Sequence, residues 1–323
     1  MRFKKYIGIA IGLAIIVVLV LKSDFKEVFK LIAGIDKLYL ALALIIFFFV
    51  TLLRSLRWKT FIQTKISYMY VLKATSLGIL ANRILPSRLG ALLRAILITK
   101  KSKYKIGYSL GSVFLDNIIV VLFVSISSAI VASKFLINES RMIGQLIIWP
   151  LIFVAALIVA LFIIYYILKS KFFIKIISKI RKLENIRKKY GTGMLVDFKN
   201  YFFRFKIKRL FLGLLITAPI WVGVSVVNFM ILKSLNLSIG IAYLYLASGL
   251  PFIIGMITLI PGGFGTQELS MVGILISAGL PAYAATSVAL LSRFIDLFWT
   301  ILFGIYASFT IKIRDIKSEQ NEL

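Results

Sequence analysis

The chain has 323 residues, of which 60% are hydrophobic, and a mean hydropathy of +0.98. It holds no cysteine and no histidine, which excludes disulfides, thiol chemistry, His–metal sites and the usual histidine base. Forty Lys and Arg against twelve Asp and Glu give a net charge of +28. In so apolar a chain that excess points to positive-inside orientation and anionic headgroups rather than to nucleic acid.

Apolar runs of about 20 residues, enough to cross a bilayer, recur along the sequence. The expected class is an all-α polytopic integral membrane protein, a single membrane domain over 1–323. Arg2, Lys4 and Lys5 precede an apolar run from Ile7 to Leu21. No small-residue cleavage site follows, so this is read as a first span with a cytoplasmic N-terminus. Residues 22–37 space Phe25, Val28, Phe29 and Ile32 amphipathically among charges, which suits the interface. A second span runs from about Leu38 to Leu53 and ends in RSLRWKTF, where Arg54, Arg57 and Lys59 meet a Trp58 read as interfacial.

The segment from Tyr68 to Ile98 is apolar enough to enter the membrane, yet it carries Lys73, Asn82, Arg83, Arg88 and Arg94 around a break at Pro86. Spans at about 108–132 and 145–168 follow. Residues 169–209 hold fourteen Lys and Arg against Glu184 and Asp197 and are expected as a cytoplasmic basic loop lying on anionic lipid. A span from Leu210 to Leu232, a second broken apolar pair around Pro261, a last span from Tyr283 to Phe309 and a polar tail complete the chain. The total is about six full spans plus two broken or re-entrant pairs.

An offset of 175 residues aligns Pro86 with Pro261 and Gly90 with Gly265, setting PSRLG against PGGFG. The same offset, without gaps, aligns Tyr108 with Tyr283, Ser112 with Ser287 and Leu115 with Leu290. This predicts internal repeats at about 38–132 and 213–307. Three full spans separate their starts, and three is odd, so the repeats are inverted. Inverted repeats whose broken helices meet near the midplane are the recurrent plan of transport proteins.

The chemistry concentrates at the breaks. In ITLIPGGFGTQE, Pro261 cannot continue a helix, while Gly262, Gly263 and Gly265 permit sharp turns. Helical pattern resumes after Gly265, which places Glu268 in a first turn inside the membrane. Such breaks are tolerated only where freed backbone faces protein or a watery cavity. The glycine amides could cradle a phosphate at a helix start, or the glycines could simply allow close helix approach. Arg83, Arg88 and Arg94 surround the other break. An arginine at mid-helix costs about 2.5–3.5 kcal/mol on insertion scales, and its planar fork matches a phosphodiester. The plainer alternative is that these arginines snorkel to headgroup phosphates. Arg293 and Asp296, one turn apart in the last span, either pair with each other, or Arg293 pairs with Glu268 and leaves Asp296 to a substrate or proton. Asp116 is a further mid-span acid.

The runs ILPSRLGALLRAILI and SLGSVFLDNIIVVL, with LIPGGFGTQEL and LLSRFIDLFW later, resemble the flippase-like membrane domain of lysylphosphatidylglycerol synthases, a family with stand-alone members of the UPF0104 type. The resemblance runs from the second span to the last and implies movement of a lipid with a polar headgroup, an aminoacylated phospholipid or a polyprenol- or glycolipid. Ala91 stands where the family pattern has a glutamate, and Asp116-Asn117 where it has Glu-Arg. No soluble aminoacyl-transferase domain is expected after the last span.

The expected function is therefore lipid transport in the cell membrane without enzymatic chemistry, cofactor or metal. The substrate site comprises Arg83, Arg88, Arg94, Asp116, Glu268, Arg293 and Asp296, with Pro86, Gly90, Pro261, Gly262, Gly263 and Gly265 as backbone breaks. The expected partners are an anionic or zwitterionic lipid and a glycosyltransferase or lipid-modifying enzyme. The rivals are a membrane-embedded transferase acting on polyprenyl phosphates, which would use paired carboxylates to hold Mg²⁺, and a non-transporting accessory protein for a glycosyltransferase.

Overall fold

A computed structural model describes residues 4–84, 89–102, 104–136, 193–258 and 260–311. Helix α1 covers Lys4–Lys22, α2 Phe25–Ala33, α3 Lys37–Phe61, α4 Tyr68–Ile84, α5 Leu89–Ser102 and α6 Ile106–Leu136. Then α7 covers Gly193–Phe203, α8 Ile207–Ser234, α9 Ile241–Ile257, α10 Thr266–Ser277 and α11 Ala282–Thr310. No strand occurs among the described residues, and the chain is an all-α polytopic membrane protein. Four helices there, α3, α6, α8 and α11, are long and apolar enough to cross a membrane. Helix α1, at 19 residues, reaches about 28 Å, close to the hydrocarbon thickness. The span expected at 145–168 and most of the basic loop lie outside the described residues.

Local chemistry sets the helix starts. The Asp36 carboxylate accepts the Leu38 amide at 2.8 Å to begin α3, and Asp24 accepts the Lys26 amide at 3.2 Å to begin α2. Helices α4, α5, α9 and α10 have 17, 14, 17 and 12 residues. At about 25, 21, 25 and 18 Å they fall short of the bilayer. Within each pair the second helix packs back along the first.

Packing in one half is mirrored in the other. The contacts α3–α4, α4–α5, α5–α6 and α3–α6 have counterparts in α8–α9, α9–α10, α10–α11 and α8–α11. Across the halves, α4 packs on α11 as α9 packs on α6, and α2 on α11 as α7 on α6. Helices α3 and α8 share the most extensive contact and run antiparallel. The Asp36 amide donates to the Ser234 carbonyl at 2.9 Å, Gly223 lies against Val50, and Gly213 lies under the Phe61 ring. Lipid supplies no hydrophobic drive between helices, so this close approach at small residues is what holds them together. The outward faces carry Leu38, Phe49, Phe211, Leu215 and Phe309, as helices in hydrocarbon require.

One end of the bundle is basic. There the Tyr201 hydroxyl donates to the Phe61 carbonyl at 2.9 Å, Arg209 donates to the Ile62 carbonyl at 2.8 Å, and Lys105 meets Asp197 at 3.1 Å. Burial, reinforced by Tyr108, pushes the Tyr104 phenol up to about 12, so it stays neutral. At the opposite end the Ser23 and Thr286 hydroxyls lie 2.7 Å apart. Helix α1 then passes back along the second break, where Gly12 lies against Phe264 and Gly265 so closely that a β-carbon at either glycine would meet backbone within 2.8 Å.

The second span differs from expectation. Helix α3 continues eight residues past Leu53 and carries Arg54, Arg57 and Trp58 inside the bundle rather than at its rim. Trp58 is fully buried, not interfacial. A carboxylate waiting at that depth makes the difference.

Candidate functional site

Asp296 lies fourteen residues from each end of α11, about 21 Å from either. The second break comes to this level, since both Arg83, at the end of α4, and Arg293 donate to the Gly262 carbonyl. Gly262, Gly263 and Gly265 adopt φ of 62°, 66° and 77°. That left-handed region strains any residue with a β-carbon, which is why glycine recurs there. The Pro261–Gly263 turn is 3₁₀. Its Gly263 and Phe264 amides are engaged by the Ile260 and Pro261 carbonyls at 2.9 and 3.3 Å. The expectation that glycine amides cradle a phosphate is therefore corrected at Gly263. The turn instead offers carbonyls, and arginines answer them.

Two ionic nodes result. In the first, Asp116 on α6 accepts Arg57 Nε at 2.8 Å on one oxygen and Arg94 Nη2 at 2.7 Å on the other. Arg94 also lies 4.0 Å over the Trp58 ring, whose Nε1 donates to Ser112 at 3.3 Å. The carboxylate is 2% exposed. Arg94 was expected to guide a phosphate and Asp116 to contact substrate. The structure pairs them with each other, tying α3, α5 and α6 together.

In the second node, Arg293 Nε donates to Glu268 Oε1 while its Nη1 and Nη2 reach the Gly262 and Gly263 carbonyls at 3.3 and 3.2 Å. Phe264 lies 4.8 Å below that guanidinium. Asp296 accepts Arg83 Nη2 on one oxygen, with Arg293 at 3.8 Å, and faces Arg54 at 3.8 Å on the other. Of the two arrangements open for Arg293, the Glu268 pair is the closer, and the Asp296 contact is peripheral. Asp296 is not left free, because Arg83 crosses from the other half to meet it. Arg83 thereby joins the two halves. Arg88 and Pro86 lie outside the described residues. Gly90 sits where a β-carbon would strike α4, and its amide donates to Asn82 at 2.9 Å.

Between the nodes lies a cavity of about 270 Å³. Both broken pairs wall it, together with α3, α6, α8 and α11. Arg54, Arg57, Arg83, Arg94, Arg293, Asp116, Glu268 and Asp296 line it with Phe47, Trp221 and Phe252. Several buried polar atoms in its wall lack partners: Glu268 Oε2, Arg83 Nε, Arg94 Nε, Trp221 Nε1 and Asn228 Oδ1. Such groups are expensive unless a ligand or water satisfies them. The cavity can therefore hold a charged, hydrogen-bonding group in the middle of an apolar body.

Arg54 and Arg57 are the site residues that sequence reasoning missed. Their i, i+3 spacing put both on one helix face, yet the nearby Lys59 and Trp58 read as a membrane border. The usable signal was the intramembrane Asp116 itself, an acid that needs a cation at its own depth.

The lysylphosphatidylglycerol synthase TM region family matches residues 6–304. A UPF0104 membrane protein of Pyrococcus horikoshii is 26% identical over 324 residues, covering 94% of this chain and 96% of the relative. Two UPF0104 membrane proteins of Methanocaldococcus jannaschii are 25% identical over 244 residues (75% of this chain, 98% of the relative) and 23% identical over 340 (99% and 98%). The match takes in both breaks and every residue of both nodes, and on it this chain belongs to the lysylphosphatidylglycerol synthase TM region family.

Proposed function

We propose that the protein is a lipid flippase-like transporter that moves a polar-headgroup lipid, an aminoacylated phospholipid or a polyprenol- or glycolipid, across the cytoplasmic membrane. The observation that carries this reading is the mid-membrane cavity walled by both broken pairs. Its 270 Å³ falls just under the roughly 300–1,000 Å³ of small-molecule sites. That volume suits a headgroup and leaves the hydrocarbon chains in the bilayer. Alternating access follows from rocking one half against the other along the α3–α8 contact, with the Arg83–Asp296 and Arg83–Gly262 links opening and closing across the halves. Each cavity acid faces a guanidinium rather than another acid, which favours transport over a transferase with metal-bridging carboxylates.

The concentration of Lys and Arg at the basic end supports a cytoplasmic position for that end and for both chain termini. A Ser238→Cys variant, in a chain without other cysteines, is expected to react with an impermeant thiol reagent from outside. Labelling only after lysis would reverse the orientation. The activity test is reconstitution in vesicles with headgroup-labelled aminoacyl-phosphatidylglycerol, phosphatidylglycerol and polyprenyl-phosphate lipids. Protein-dependent translocation is expected for at least one. Product formation without translocation would favour the transferase, and neither would favour an accessory role.

A further inference from the structure

We infer that the mid-membrane cavity selects a dianionic phosphate group, a phosphomonoester or a diphosphate, and that Arg54 is its principal ligand. This deepens the transport reading and rests on it. The charge balance of the wall carries the argument. Among the described residues, five guanidiniums (Arg54, Arg57, Arg83, Arg94 and Arg293) face three carboxylates (Asp116, Glu268 and Asp296). Arginine does not deprotonate in proteins. The node at Asp116 therefore carries one uncompensated positive charge, and the node at Asp296 and Glu268 carries another. Uncompensated charge away from water is costly, so the occupant that balances the cavity brings two negative charges. A phosphomonoester carries about −1.5 to −2 near pH 7, whereas a phosphodiester carries one negative charge and an aminoacylated headgroup adds positive charge to a site already in excess.

Geometry singles out Arg54 among the five. Arg57 and Arg94 saturate Asp116, Arg83 is bonded to Asp296 and a carbonyl, and Arg293 is bonded to Glu268 and two carbonyls. Arg54 has a 3.8 Å approach to Asp296, too long for a hydrogen bond, and lies 5.0 Å over the Phe47 ring. Its side chain is also the most open of the five, at 24%. Arg54 thus lines the cavity without a hydrogen-bond acceptor among the described residues, and a guanidinium fork left free in this way can take phosphate bidentately.

The test is a lipid titration of the protein in phosphatidylcholine nanodiscs, with bound lipid identified by mass. Phosphatidic acid serves as the phosphomonoester, phosphatidylglycerol as the diester and lysylphosphatidylglycerol as the cationic headgroup. Phosphatidic acid is expected to bind at least tenfold tighter than phosphatidylglycerol, with lysylphosphatidylglycerol weakest. Arg54→Gln is expected to erase that preference, and Asp296→Asn, which removes a competing negative charge, to tighten phosphatidic acid about tenfold. Should Arg54→Gln fail to accumulate, Arg54→Lys keeps the charge without the fork and is expected to lower the preference several-fold. Tightest binding of the cationic lipid, or weaker phosphatidic acid binding in Asp296→Asn, would overturn the inference. A preference that survives Arg54→Gln would belong to the basic surface and overturn the assignment too. Competition by inorganic phosphate at equal affinity would keep the dianion but name a free anion, overturning the lipid-transport reading instead. Translocation of lysylphosphatidylglycerol without phosphomonoester binding would do the converse.

Discussion

Asp116 and Asp296 are both aspartates inside long apolar helices, and both are met by arginines from other elements. Around Asp116 each carboxylate oxygen has one hydrogen bond shorter than 3 Å, and the three charged side chains are 3%, 8% and 8% exposed. Around Asp296 two of three contacts are stretched to 3.8 Å, and Arg54, Arg83 and the aspartate are 24%, 16% and 15% exposed. The same residue types thus make a closed knot in one place and an open one in the other. A closed ion pair holds helices in register, because removing one partner leaves a bare charge in low dielectric. An open one keeps donors available, at the cost of leaving some unsatisfied until a ligand arrives.

The largest effect is expected from Asp116→Ala. It would strand Arg57 and Arg94 beside Trp58, and the loss is expected at about 3–5 kcal/mol, the usual consequence of breaking a buried pair. Thermal unfolding in detergent would measure it. A variant as stable as the parent would mean that water reaches Asp116 and that the two nodes are alike. Next comes Glu268→Gln, nearly isosteric, which leaves Arg293 held by two carbonyls and an amide. Membrane accumulation should be retained while lipid translocation in vesicles falls at least tenfold. Unchanged transport would reduce Glu268 to a charge favoured by a helix start, worth roughly 0.3–1 kcal/mol. The smallest effect is expected from Trp58→Phe. It keeps an aromatic face under Arg94 but deletes the bond to Ser112, for about 1 kcal/mol of stability and little change in transport. A large transport defect there would make the closed knot a working part.

Much of the second node was legible beforehand, and the reason is local. Pro261, three glycines and Glu268 fall within eight residues, and Arg293 with Asp296 interrupts an apolar span, so pattern alone marks both. The partner of Asp296 was not legible. Arg83 lies 213 residues away and reaches it only because α4 packs on α11, a contact between the two halves that no local pattern encodes. Arg57 and Trp58 misled for a related reason. A basic residue beside tryptophan is the ordinary signature of a membrane border, and its true meaning depended on Asp116, 59 positions on. The fold class and the ends of α6, α8 and α11 were readable to within a few residues because hydropathy alone sets them. Where charges are satisfied is a property of packing, and it had to be seen.

The contact of Gly12 with Phe264 and Gly265 has a bearing on how the chain is made. Helix α1 leaves the ribosome ahead of the break it covers, which is translated about 250 residues later. At roughly 5–20 residues per second, α1 waits on the order of 13–50 s before its partner exists. During that interval it must sit in lipid as an independent helix, which its exposed Ile11, Leu13, Val17 and Val18 equip it to do. The break, in turn, emerges into a membrane where its cover is already present. Assembly therefore closes backwards, a later segment onto an earlier one, and a chain interrupted between α1 and Phe264 leaves α1 in the bilayer with nothing to seal.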